Sequence, residues 1–372
     1  MSYSFIILCM LAMLISDSSS LNPLAGDVLP QHFQSGEDSA TETTIYLISS
    51  SSQYDEKVIA RIRDAFHLQG YRIDTTWLDQ KPTLLGYVNS DEKRAQTLIA
   101  ALLDDNVKYL WFVRGGAGAL NLYPWLYANQ HQILASSPKV LIGLSDVTAI
   151  HHYINNTVGW PSIHGILASH NQEMHKLDMS EKLSVNNSIH QVFQAIQNGV
   201  TYTAIEPMNH SAFAGAQGIL SGGNMTLVQS LFSTRYESHY ANKVMLLEDV
   251  DVSWKQLDRA LHQLEYSTTF LPEAVIFGQF YRINAGDFEK ERYREVIQSF
   301  ARRVDYPVYY YPAFGHGATN QPFILAQQSN IACRHGDEYC RLTQPPLAFD
   351  LLTKTAIVAA PPVKIRCDMA LC

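Results

Sequence analysis

The chain has 372 residues, 47% of them hydrophobic and 17% charged, so it can bury a large core and is neither disordered nor fibrous. A formal charge of -8 leaves no basic footprint for nucleic acid. Residues 5–15 form an apolar run too short to span a bilayer. Small polar residues follow, and the segment 1–20 reads as a secretory signal with cleavage after Ser20; a buried N-terminal element is the alternative. Residues 21–42 are polar and lead into the first strand, predicted over 44–49. A helix is expected over 56–68, a strand over 71–77, and a helix over 91–103 capped by Ser90. The apolar strand 107–113 runs into Arg114-Gly115-Gly116-Ala117-Gly118, and the strand 140–144 runs into Ser145 and a helical pattern. Strands alternating with helices predict a parallel sheet covered on both faces.

The stretch 170–210 is polar and irregular apart from a helix near 189–197, and reads as a linker. A second domain follows, with the glycine-rich 218–223, a helix over 224–232, a strand over 243–247, a helix over 253–264, and strands at 274–277 and 308–311. Further short strands are expected at 323–326, 347–351 and 355–359. The predicted division is an N-terminal α/β domain over 44–168, a linker over 169–210, a β-rich domain over 211–360 and a cysteine-containing tail over 361–372. Without the leader, the cysteines are Cys333, Cys340, Cys367 and Cys372. In an oxidising compartment they allow two disulfides in three connectivities. A zinc site combining them with His335 is disfavoured, because no C-x-x-C spacing is present.

Ligands of parallel sheets bind beyond the carboxyl ends of the strands, and two candidates stand there. Ser145 sits on a strand-to-helix turn, the geometry of a nucleophile elbow, although Val147 breaks the G-x-S-x-G pattern. Read alone, Ser145 or Asp146 could equally be a helix N-cap. The glycines after Arg114 allow backbone N–H groups to approach a substrate, as in an oxyanion hole; a plain tight turn is the alternative. A serine nucleophile needs a base and an orienting acid. His316 lies between two glycines, and Glu248 and Asp249 compete for the acid role at the end of an apolar strand.

The segments RGGAGALNLYPWL (114–126), PKVLIGLSDVTAIHH (138–152), Ile163-His164-Gly165, GILSGGN (218–224), Leu247-Glu248-Asp249 with Asp258-Arg259, and Phe314-Gly315-His316-Gly317 resemble the LD-carboxypeptidases, over about residues 44 to 330. That family includes murein tetrapeptide carboxypeptidases and the microcin C self-immunity peptidase. The resemblance implies a flavodoxin-like N-terminal domain, a β-rich C-terminal domain and a site in the cleft between them. It maps a Ser-Glu-His triad onto Ser145, Glu248 and His316, and an oxyanion hole onto the backbone N–H groups of Gly116 and Asp146. With the hole built from backbone, Asp146→Ala is expected to leave it intact. Arg114 is the candidate cation for the substrate carboxylate. Ala117 stands where the family's first loop carries an aromatic, Asn121 where an arginine is common, and Leu144 where an aromatic precedes the serine.

The implied activity is release of terminal D-alanine from a murein tetrapeptide, without metal or other cofactor. The partner is a peptidoglycan-derived peptide; no nucleic acid and no stable membrane anchor are expected, and homodimers occur in the family. Cleavage of a peptidyl-nucleotide and non-catalytic peptidoglycan binding are the competing readings. A leader and paired cysteines place the protein in the periplasm or outside the cell, and the cytoplasm if the apolar run is not a signal.

Overall fold

The computed structural model describes residues 43–170 and 188–347, apart from 283, 318 and 335. The leader, the tail cysteines, His335 and the strands expected at 347–351 and 355–359 therefore lie outside the described residues, except for Leu347 itself. The strands run β1 (Thr43–Ile48), β2 (Tyr71–Asp74), β3 (Tyr109–Phe112), β4 (Val140–Gly143), β5 (Ser162–His164), β6 (Val200–Pro207), β7 (Ala216–Asn224), β8 (Lys243–Glu248), β9 (Ala274–Phe277), β10 (Val308–Tyr310), β11 (Phe323–Leu325), β12 (Gln328–Ala332) and β13 (Cys340–Gln344). One sheet has the order β11-β5-β4-β3-β1-β2. Its strands β1 to β5 are parallel, in the flavodoxin-like order 2-1-3-4-5, with the reversal between β1 and β3. The other strands close a barrel in the order β10-β6-β13-β12-β7-β8-β9.

The first sheet follows from its sequence. Every residue of β3 and β4 is buried, as strands covered on both faces require. Helix Val58–His67 turns Ile62, Ala65 and Phe66 inward, and Phe66 meets Trp111 of β3 edge-on at 4.8 Å. Helix Asp91–Leu103 starts where expected: Ser90 Oγ accepts the Lys93 N–H, and Asp91 and Glu92 face the positive end of the helix dipole.

Three departures from the sequence reading concern the boundary between the sheets. The stretch read as linker contains structure of both. Its helix, Ser188–Asn198, packs Phe193 against Tyr71, Tyr109 and Trp111 of the first sheet. Its strand β6 is a barrel strand, paired with β10 and β13. Strand β11, expected in the C-terminal domain, instead extends the first sheet antiparallel to β5. A further helix, Asp287–Ala301, was not foreseen; it buries Tyr293, Val296, Ile297 and Phe300 against the barrel. Among the described residues no helix is long and apolar enough to cross a membrane. Cys333 and Cys340 form a disulfide.

Candidate active site

Strand β4 ends at Gly143, Leu144 remains extended, and Ser145 then takes φ +66°. A non-glycine residue in the left-handed region is strained, and such strain clusters at functional sites. The chain continues through a 3-10 turn, Ser145–Val147, into helix Thr148–Tyr153. Neither Ser145 nor Asp146 caps that helix with its side chain; the N-cap is Val147, so the capping alternative does not hold. Ser145 is an elbow residue pressed against the glycine loop. A Cβ on Gly115 would stand 2.8 Å from Ser145 Cβ and 3.0 Å from its Oγ. Gly116 adopts φ +112°, and a Cβ there would stand 2.6 Å from Ser52 Cβ.

The glycine loop is held from beneath. Asp146 is buried, and its Oδ2 accepts the Ala119 N–H at 2.8 Å. Burial raises the Asp146 pKa, against the lowering effects of Ser51, that amide and Arg94. Arg94, buried in helix Asp91–Leu103, donates to the carbonyl of Gly118 at 2.9 Å, to that of Ser50 and to Asp91. Ser52 N–H donates to Gly115 O at 3.2 Å, and Ser52 Oγ accepts the Ala117 N–H at 3.2 Å. The Asp146 carboxylate thus ties down the glycine loop, a role that the expectation for Asp146→Ala, built on the backbone alone, left out. Arg114 is exposed, and its guanidinium donates to the carbonyl of Gln53 at 2.8 Å.

A carboxylate at the end of β8 meets an imidazole on the segment between β10 and β11. Glu248 ends β8, wholly buried, and its Oε2 lies 2.6 Å from Nδ1 of His316. A carboxylate only accepts, so Nδ1 carries the proton and Nε2 presents its lone pair. Asp249, the competing acid, is occupied elsewhere. Its oxygens accept Asn224 Nδ2 at 2.8 Å, Thr226 N–H at 2.9 Å and Thr226 Oγ1–H at 2.7 Å. Geometry thus separates two carboxylates that sequence could not. Burial alone would raise the Glu248 pKa, but the His316 and His164 imidazoles more than offset it and hold the carboxyl at about 2. Burial likewise works against charging His316, and Glu248 outweighs it, so the His316 pKa is raised. Gly315 makes the approach feasible: at φ +115°, a Cβ there would stand 3.0 Å from Glu248 Oε2.

Contacts within the first sheet and across to the barrel link the elements that carry Ser145 and Glu248. Gly143, two residues before Ser145, is in register with His164 at the end of β5. His164 Nε2 lies 3.8 Å from Glu248 Oε1. Thr148, three residues after the serine, accepts the Asn224 N–H of β7 on its hydroxyl at 2.9 Å. Sequence reasoning missed the supporting roles of Ser52, Arg94, Thr148 and His164. Of these, His164 lay within the Ile163-His164-Gly165 segment and Thr148 within the segment 138–152, while Ser52 and Arg94 carried no signal.

Two family models cover most of this architecture: an LD-carboxypeptidase N-terminal domain over residues 45–165 and an LD-carboxypeptidase C-terminal domain over residues 217–331. The chain belongs to the LD-carboxypeptidase family. A Rickettsia prowazekii protein named as a carboxypeptidase is 31% identical over 258 residues, 68% of this chain and 76% of its own. A Bacillus subtilis protein named as a murein peptide carboxypeptidase is 29% identical over 182 residues, 48% of this chain and 54% of its own. Among solved structures, the fold matches a muramoyltetrapeptide carboxypeptidase from Oxalobacter formigenes, with TM-score 0.67 and 18% identity over 82% of this chain and 99% of that one. It also matches the microcin C7 self-immunity protein in complex with aspartyl sulfamoyl adenosine, with TM-score 0.63 and 17% identity over 83% and 97%. The matched segments of this LD-carboxypeptidase contain the Ser145 elbow, Glu248 and His316.

Proposed function

We propose that this LD-carboxypeptidase is a serine peptidase that releases terminal D-alanine from murein tetrapeptides, with Ser145 as nucleophile, His316 as base and Glu248 as orienting acid. The observations that carry this reading are the strained Ser145 elbow facing a glycine loop and a buried carboxylate 2.6 Å from His316. His316 Nε2 takes the Ser145 hydroxyl proton as Oγ attacks the carbonyl preceding D-alanine. The backbone N–H groups of Gly116 and Asp146 receive the oxyanion; among the described residues neither is committed to a backbone acceptor. His316 then protonates the leaving amine, and the C–N bond breaks. Water hydrolyses the ester by the same relay in reverse, with Glu248 stabilising the imidazolium in both halves. Arg114 faces the substrate carboxylate, its guanidinium anchored by Gln53. The Cys333–Cys340 disulfide supports an exported protein acting on the wall.

The test is D-alanine release from a purified muropeptide tetrapeptide by the wild type and by Ser145→Ala. Release by the first and none by the second is expected. Equal release by both would remove Ser145 from the mechanism. No release by either would exclude this substrate and turn attention to acyl amides such as peptidyl-nucleotides.

A further inference from the structure

The proposed mechanism uses one oxygen of Glu248 and leaves the other idle. Glu248 Oε1 is buried and has no hydrogen-bond partner among the described residues. His164 is also wholly buried, and neither of its ring nitrogens has a hydrogen-bond partner there. Its Nε2 stands 3.8 Å from that same oxygen. Buried polar groups are seldom left unpaired, and when two of opposite character face each other the pairing is favoured. A displacement of about 1 Å would bring them to hydrogen-bonding distance.

The surroundings of His164 fix its orientation. Phe314 meets its ring edge-on at 5.9 Å, and Gly223 lies so close that a Cβ would stand 3.3 Å from its Cδ2. The other titratable groups around this cluster are His151, Asp249 and Asp251. His151 is fully buried, held neutral with a pKa of about 3 chiefly by burial, and engaged with Gly143 O at 3.0 Å. Asp249 lies beside Glu248, and Asp249 and Asp251 both act on His316.

We propose that His164 is a positioning residue: its Nε2–H closes the 3.8 Å gap and donates to Glu248 Oε1, locking the carboxylate in the orientation that holds His316. The donor comes from the first sheet and the acceptor from the barrel, so the bond forms only when the two sheets are in register. The bond also shares the carboxylate's negative charge. Removing it leaves that charge wholly to His316, which then binds its proton more tightly.

This inference rests on the Ser145-His316-Glu248 reading, and one readout is independent of it. The His316 ring would be titrated by NMR in the wild type, His164→Ala and His164→Gln, each with the thermal midpoint recorded. In parallel, kcat and KM for D-alanine release would be measured across pH. In His164→Ala the His316 midpoint and the acid limb of kcat/KM should rise by about half a unit. The kcat should fall about tenfold or more with KM little changed. His164→Gln, whose amide can donate from a similar position, should restore both. A His316 midpoint unmoved in folded His164→Ala, or a Gln variant no better than Ala, would overturn the proposal. If the wild type releases no D-alanine, the substrate reading fails, and the NMR titration still decides whether His164 acts on the pair.

Discussion

The Asp146 carboxylate accepts the Ala119 amide at 2.8 Å, so the residue that follows the serine also holds the far end of the glycine loop. Asp146→Ala removes that tie and leaves the Arg94 guanidinium without a nearby buried carboxylate. We expect kcat to fall about a hundredfold, comparable to losing one oxyanion donor. Asp146→Asn keeps an acceptor and should retain much more activity. Steady-state kinetics on both variants decides this; an Asp146→Ala enzyme of wild-type kcat would return the residue to a backbone-only role.

Gly115→Ala places a methyl group 2.8 Å from Ser145 Cβ. Gly115 does not have a positive φ, so the backbone tolerates alanine and the damage is local. A displacement of the nucleophile near 1 Å costs about a hundredfold in rate. Single-turnover measurements should show that loss with the thermal midpoint close to wild type.

The pH dependence has a definite sign. His316 must be neutral to accept the Ser145 proton, and its pKa is raised above the ordinary 6.5. The acid limb of kcat/KM should therefore lie above 6.5, and Glu248→Gln should move it to lower pH. Stability follows the same pair. Glu248 has a folded pKa of about 2 against an ordinary 4.5, so its contribution is present above 4.5 and lost as pH falls towards 2. The contribution of His316 is present below 6.5 and lost as pH rises through its raised folded value. Thermal melts across pH should show both edges in the wild type, and neither in Glu248→Gln.

The disulfide closes a short loop, with a sequence separation of 7. Chain-entropy reasoning assigns such a loop about 2 kcal/mol. The Cys333→Ser/Cys340→Ser double variant should unfold at correspondingly lower denaturant, and reductant should lower the wild-type midpoint while leaving the variant unchanged. Equal midpoints in both would mean the bond adds no stability.

What was legible in the sequence was whatever is local. The all-apolar runs of β3 and β4 could only be buried strands, and Ser90 marked its helix start by its own hydrogen bond. The elbow was visible as a strand-serine-helix succession, but choosing an elbow over a cap required φ at Ser145. Helix Asp287–Ala301 was overlooked although Tyr293, Val296, Ile297 and Phe300 keep helical spacing, because polar and charged residues fill the positions between them. Strand β7 was hidden by its glycines. Gly222 is required there because a side chain would run into the carbonyl of Leu246 on β8, a contact that exists only once the barrel has formed. Arg94 looked like one more solvated charge on a helix, and only tertiary packing shows its guanidinium buried beneath the loop. The membership of β11 could not be read at all, since sheet assignment is not a property of three residues.

Strand β11 also determines how His316 is mounted. The segment carrying His316 leaves the barrel at β10 and enters the first sheet at β11. It is a bridge anchored on both banks, with the imidazole on the span. Any rotation of one sheet against the other must be absorbed between Tyr311 and Pro322, where Gly315 and Gly317 lie. The alignment of His316 therefore reports the relative setting of the two sheets, and a mutation far from Ser145 that shifts either sheet would be felt first at that imidazole.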